Sequence, residues 1–225
     1  MELVLVRHAQ PEWSRDQTAR VDPGLTVLGR EQADLTGRRL CDEHFDQVLV
    51  STATRALETA SPIVTHHQQS PRYERSWLHE IHMPGAWEGT PQAEVVRIFS
   101  EARLRPREAW WDGVPGGESF RDFHARVTTG LVAELAEIGV EQDDDGLWHV
   151  PDGSPRLLLI AHAGTNSVVL GRLLGLTPEP WEWERFASNH ASLTVLRAVP
   201  IAGRHIFSLQ LFSDVSHLPT ELVTA

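Results

Sequence analysis

The chain has 225 residues, 41% hydrophobic and 23% charged, which fits a globular protein of one large domain or one domain with an inserted cap. A formal net charge of −11 argues against a nucleic-acid-binding surface, and no apolar run reaches the roughly 20 residues that span a bilayer. The N-terminus shows no basic segment followed by an apolar core, so a cytoplasmic location is the default expectation. The single cysteine, Cys41, excludes an internal disulfide and a cysteine metal cluster. All 20 basic residues are arginine, so Schiff-base and phosphate-loop lysine chemistry are excluded and any phosphate or carboxylate site must use the arginine fork.

In chain order, the apolar run Leu3 to Val6 predicts a strand buried on both faces that ends at Arg7, His8 and Ala9. In an open parallel sheet, ligands bind beyond the carboxyl ends of the strands, which is where Arg7 and His8 would stand. Gln10 to Gly24 reads as a polar loop. Thr26 is a helix N-cap before Leu28, Ala33, Leu35 and Leu40. Phe45 to Val50 predicts a second strand, after which Ser51 and Thr52 are candidate caps of a helix carrying Arg55, Ala56, Thr59 and Ala60. Arg55 then lies in a first helical turn, where unpaired N–H groups and the helix dipole gather anions.

Pro71 to Trp77 holds a short strand, Leu78 to Gly89 a loop, and Pro91 to Arg107 one or two helices. This region is expected to cover the sheet edge as a substrate cap. Glu118 or Ser119 opens a long amphipathic helix through Phe123, Val127, Leu131, Leu135 and Ile138. The acidic stretch Glu141 to Gly146 is expected to be a solvated loop. Arg156 to Ala161 repeats the first strand's pattern and again ends in His-Ala, at His162 and Ala163. A helix from Gly164 stops at Gly175, and Ser192 to Val199 and His205 to Phe212 close the chain as strands. Strands alternating with helices place the fold in the α/β class.

Six stretches in order resemble the histidine phosphatase superfamily, also called phosphoglycerate mutase-like. Val6-Arg7-His8-Ala9 is similar to its Arg-His-Gly signature, and Leu25-Thr26 with Gly29 to Ala33 to its first helix. Ser51 to Ala60 resembles its second arginine motif, and Leu78-His79-Glu80 with Trp87-Glu88-Gly89 its acid motif. Gly116 to Ser119 with Arg126 is similar to its long-helix entry, and Ala161-His162-Ala163-Gly164 to its second histidine motif. The chain departs from the pattern at Ala9 and Ala163, where glycine is usual, at Gln10 and Pro11, and at Ser14, where asparagine is frequent. Its first loop is shorter than in the glycolytic mutases.

The resemblance implies a three-layer α/β sandwich with a mainly parallel central sheet, one domain over residues 1–225 with a small helical cap at about 84–117. It implies a metal-independent phosphatase that hydrolyses a small phosphorylated metabolite without a cofactor. His8 would be the nucleophile and carry a phosphohistidine, while Arg7, Arg55 and His162 surround the phosphoryl group. Glu80 would donate the proton to the leaving group, with Glu88 as a nearby competitor. Ser14 and Ala163 take positions that bind substrate. No nucleic acid or membrane partner is expected, and a homodimer stays open. A phosphoglycerate-type mutase is the runner-up. A metallohydrolase using His8, His79, His82 and His162, and a phosphate-binding module without catalysis, come further behind. Trp110, Trp111, Trp181 and Trp183 could line an apolar substrate pocket, with core or interface packing the expected role.

Overall fold

In the computed structural model, which describes residues 1–225, the first apolar run forms β1 (Glu2–Arg7). It is followed by β2 (Ser14–Arg15), β3 (Thr18–Ala19), α1 (Val27–Leu40), β4 (Gln47–Ser51), α2 (Thr54–His66) and β5 (Arg72–Arg75). The covering segment contributes α3 (Gln92–Arg103) and α4 (Arg107–Trp110). Then come α5 (Phe120–Glu137), β6 (Glu141–Gln142), β7 (Trp148–His149), β8 (Arg156–Ala161), α6 (Ala163–Leu173) and α7 (Glu182–Arg185). The hairpin of β9 (Leu193–Ile201) and β10 (Arg204–Asp214) closes the order.

Eight strands make one sheet in the order β5-β4-β8-β1-β9-β10-β7-β6. β5, β4, β8 and β1 are parallel, and from β9 outward the pairing is antiparallel. β1 and β8 read as unbroken apolar runs because both their faces are covered. Leu3, Leu5, Leu157 and Leu159 pack with Phe123, Val127, Leu131 and Val168 of α5 and α6. Val4, Val6, Leu158 and Ile160 pack on the opposite face with Leu40, Ala60 and Ile63 of α1 and α2. The alternation of strand side chains therefore produces three layers, each such side chain worth about 1.5–3 kcal/mol on burial.

The long helices start where side chains can cap them. Thr26 accepts from Gly29 N at 2.9 Å, and Ser119 from Asp122 N at 3.1 Å. Ser51 and Thr52 do not cap α2. The helix begins two residues later, and Asp22 of the first loop takes the Thr54 N–H at 3.0 Å and the Thr54 hydroxyl at 2.7 Å. A carboxylate from a distant loop thus occupies the end expected to gather an anion.

Two stretches read as loops are paired strands. Within Gln10 to Gly24, β2 and β3 form a hairpin whose turn residues, Asp16 (φ 52°) and Gln17 (φ 62°), are both left-handed. The acidic Glu141 to Gly146 stretch is the tip of the β6–β7 hairpin, which extends the sheet edge by pairing His205 with Trp148. Trp148 is buried there against Phe207, ring centroids 5.4 Å apart. The charged tip masks the strands because each is only two residues long.

Candidate active site

The site begins with the register of two neighbouring strands. Arg7 of β1 stands opposite Ala161 of β8, and His8 N donates to Ala161 O at 2.8 Å. Parallel strands in this register end at the same level. His8 and His162 therefore leave the sheet side by side, with ring centroids 5.0 Å apart and both rings buried.

Hydrogen bonds settle where the ring protons lie. Nδ1 of His8 is 2.8 Å from the carbonyl oxygen of Ala9, which can only accept, so Nδ1 carries the proton and Nε2 presents a lone pair. Burial, reinforced by Arg55 and Arg7, holds the His8 pKa well below the usual range. His162 is depressed in the same way, first by burial and then by Arg55. Its Nε2 lies 2.7 Å from Ser51 Oγ, which already accepts from Ala53 N at 3.3 Å. With the Ser51 O–H donated to Nε2, the ring proton of His162 sits on Nδ1.

That Nδ1 is buried without a hydrogen-bond partner, as are Nε of Arg7 and Nε of Arg55. Orphaned buried donors are rare, and three around one imidazole define a place for an anion. Arg55 is buried, with its guanidinium 4.7 Å from the centre of the Trp13 ring and 3.4 Å from Asp22. Arg7 donates to Ser188 O and lies 3.0 Å from Nε2 of His190. Burial lowers Arg7 to about 10, with Glu80 opposing and Arg55 adding to the shift, so it remains charged at neutral pH.

Glu80 faces the same place from the loop after β5. Its Oε2 accepts from Gly164 N at 2.9 Å and its Oε1 from Ile81 N at 3.1 Å. The Gly164 N–H belongs to the first turn of α6, where backbone donors lack helical partners. A Cβ on Gly164 would stand 2.5 Å from Oε1, so this approach requires glycine. Arg126 clamps the loop, donating to Trp77 O, His79 O and Glu80 O at 3.0–3.2 Å while paired with Glu118 at 2.7 Å.

The structure brings together His8, His162, Arg7, Arg55 and Glu80, and Ala163 joins them as the first residue of α6. Ser14 pairs with Ala19 in β2, and its neighbour Trp13 lines the cavity. Glu88 is drawn away, bonded to Arg20 and to Val21 N at 2.8 Å each. His79 and His82 stack at 4.5 Å, with Nδ1 of His79 on Glu80 O and Nδ1 of His82 on Glu118. No three His, Cys, Asp or Glu side chains converge on one point.

A cavity of about 740 Å³ runs from Arg7, Glu80 and Gly164 outward beneath α3 and α4. Its walls are mainly apolar. Trp110 and Trp183 line it, the less favoured of their two sequence readings, whereas Trp111 packs on Phe120 at 5.3 Å.

Three supporting residues escape a reading by sequence pattern. Ser51 fixes His162, His190 fixes Arg7, and Thr59 Oγ1 accepts from Ala9 N at 3.0 Å to hold the turn after His8. Ser51 and Thr59 lie within the stretch that resembles the second arginine motif. Nothing in the spacing marks His190, which stands in a polar turn before β9.

Sheet order, paired histidines and buried arginines together accord with one family. Residues 3–203 match the histidine phosphatase superfamily (branch 1), and the chain belongs to that superfamily. It is an enzyme of the histidine phosphatase type. Over 183 residues it is 34% identical to the glucosyl-3-phosphoglycerate phosphatase of Mycolicibacterium vanbaalenii, covering 80% of this chain and 76% of that one. It is 36% identical over 172 residues to the 2,3-bisphosphoglycerate-dependent phosphoglycerate mutase of Bartonella quintana, covering 73% and 82%. The solved structure of a mycobacterial glucosyl-3-phosphoglycerate phosphatase with inorganic phosphate matches with a TM-score of 0.70 at 26% identity, over 97% of this chain and 99% of that chain.

Proposed function

We propose that the protein is a metal-independent phosphatase that hydrolyses a small phosphomonoester through a phosphohistidine on His8. The observation that carries this reading is the neutral imidazole of His8, its lone pair on Nε2, set among three buried donors without partners. In the first step, Nε2 attacks phosphorus as the bond to the alcohol oxygen breaks. The departing oxygen takes a proton from Glu80 in its protonated form. In the second step, water gives a proton to Glu80 and its oxygen displaces Nε2, so phosphate leaves and both side chains return to their starting states.

The chain's own donors handle the charge. Arg7, Arg55 and His162 Nδ1–H bind the equatorial oxygens, which carry the charge of a loose phosphoryl-transfer transition state. The first-turn N–H of Ala163 adds a backbone donor beside Gly164. All are buried or partly buried and in place before substrate arrives, so little reorganisation is needed during the reaction.

A mutase reading is supported by the likeness to a phosphoglycerate mutase over 73% of the chain. Rapid quenching with a 32P-labelled phosphomonoester separates the readings. Acid-labile label on the protein, lost in His8→Ala, followed by free phosphate supports the phosphatase. Interconversion of 2- and 3-phosphoglycerate without phosphate release supports the mutase, and activity lost in chelator and restored by metal would overturn both.

A further inference from the structure

The phosphate end of the cavity is small and cationic, and the remainder has a different character. Six aromatic side chains, Trp13, Trp87, Phe99, Trp110, Phe120 and Trp183, line the space beneath the cap. Edge-to-face contacts hold several of them: Trp87 on Phe99 at 5.4 Å, Trp110 on Trp181 at 5.4 Å, and Trp183 on Phe120 at 5.7 Å. About 740 Å³ is far more room than a phosphoryl group needs and lies in the range of sites that enclose an organic ligand.

Of the cationic side chains lining the cavity beyond Arg7, three are paired with carboxylates and one, Arg105, is bonded only to backbone carbonyls. Arg20 is bonded to Glu88 at 2.8 Å, and Arg103 is paired with Glu184. Arg105 donates to the carbonyl oxygens of Gly113 at 2.7 Å and Ala102 at 3.3 Å. His82 is held by Glu118 at 3.0 Å. Glu118 and Glu184 themselves border the space, together with Glu80. A substrate with a carboxylate or a second phosphate on its alcohol part would find one cation without a carboxylate partner, Arg105, at the cap end, and otherwise paired charges and aromatic faces.

We propose that the alcohol part of the substrate is apolar and ring-bearing. The class is the phosphate monoester of a hydrophobic alcohol. This inference rests on the phosphatase reading for the phosphoryl end and adds what the rest of the cavity accepts. Burial of a bicyclic ring against these walls supplies the binding, and Arg7 and Arg55 hold the one phosphate. The ion pairs Arg103–Glu184 and Arg107–Glu179 fasten α3 and α4 to the segment around α7 and keep the aromatic wall in place.

The test compares 2-(2-naphthyl)ethyl phosphate, ethyl phosphate and 3-phosphoglycerate, all esters of aliphatic alcohols with similarly poor leaving groups. Binding is measured by calorimetry on His8→Ala, so that affinity is read without turnover. The corresponding naphthylethyl phosphonate, titrated into the unsubstituted protein, repeats the measurement should that variant fold poorly. Affinity for the naphthylethyl ligand is expected to exceed that for either of the others by about 30-fold or more, from the apolar area buried. Trp183→Ala is expected to remove about tenfold of that advantage. A preference under about threefold, or tighter binding of 3-phosphoglycerate, overturns the inference. Phosphate release by the unsubstituted enzyme is scored separately. Its absence with a tightly bound naphthylethyl ester overturns the phosphatase reading and leaves the binding result standing.

Discussion

Ser51 Oγ and His162 Nε2 lie 2.7 Å apart although 111 positions separate them in the chain. Ser51 is the last residue of β4, and His162 follows β8, its neighbour in the sheet. The contact selects which nitrogen of a buried, neutral imidazole faces the phosphoryl site. Ser51→Ala should lower kcat by about 10–100-fold, the usual effect of losing a partner that orients a functional histidine. The nitrogen NMR shifts of His162 should show loss of the single tautomer. An unchanged kcat would remove Ser51 from the site.

Glu80→Gln keeps the shape of the carboxylate and removes its proton chemistry. It should slow hydrolysis of an alkyl phosphate by about 100-fold or more while costing p-nitrophenyl phosphate much less, because that leaving group departs without a proton. Steady-state rates on the two ester types check this. Equal losses on both would assign the proton to another group.

Gly164→Ala places a methyl group 2.5 Å from Glu80 Oε1, a distance that forces the carboxylate to move. The backbone here is helical, so the substitution itself is not strained and the protein should fold. Activity on alkyl phosphates should fall by about 10–100-fold, with inorganic phosphate binding reduced less, because proton transfer depends on position at the ångström scale. Inhibition by phosphate, measured beside kcat, distinguishes the two effects.

His190 is pushed down to about 3, first by burial and then by Arg7. A histidine with a depressed folded pKa binds its proton more readily in the unfolded chain, so stability is complete above the unfolded value near 6.5 and falls with acidification through it. His8 and His162 add to the same slope. The melting temperature should therefore drop between pH 7 and pH 5, each such residue contributing about 1.4 kcal/mol per pH unit below its unfolded pKa. His190→Asn should flatten that slope by one proton and, with its amide oxygen, still accept from Arg7. His190→Ala should flatten it equally but raise KM by about tenfold through the loss of that acceptor. Equal slopes in all three proteins would show that His190 takes up its proton as readily in the folded protein as in the unfolded chain.

Much of this was legible in the chain. Two apolar runs of strand length ending in His-Ala read as strands covered on both faces, the kind found at the centre of an α/β sheet. The Thr26 cap and the apolar stripe through Phe123, Val127, Leu131 and Leu135 likewise announced their helices locally. Short paired segments were not legible. β2 with β3 and β6 with β7 are two residues each and owe their existence to partners supplied from elsewhere.

The sequence by itself determined the residue types of the site and the strand ends on which two of them stand, because hydrophobic period and local turn chemistry act over a few neighbouring positions. Only the tertiary structure decided that β1 and β8 pair in the register that sets His8 against His162. It also decided that Asp22 rather than Ser51 caps α2, that His190 stands against Arg7, and that the tryptophans beneath the cap face a cavity. Each of these depends on contacts between residues far apart in the chain, and spacing carries no record of such contacts.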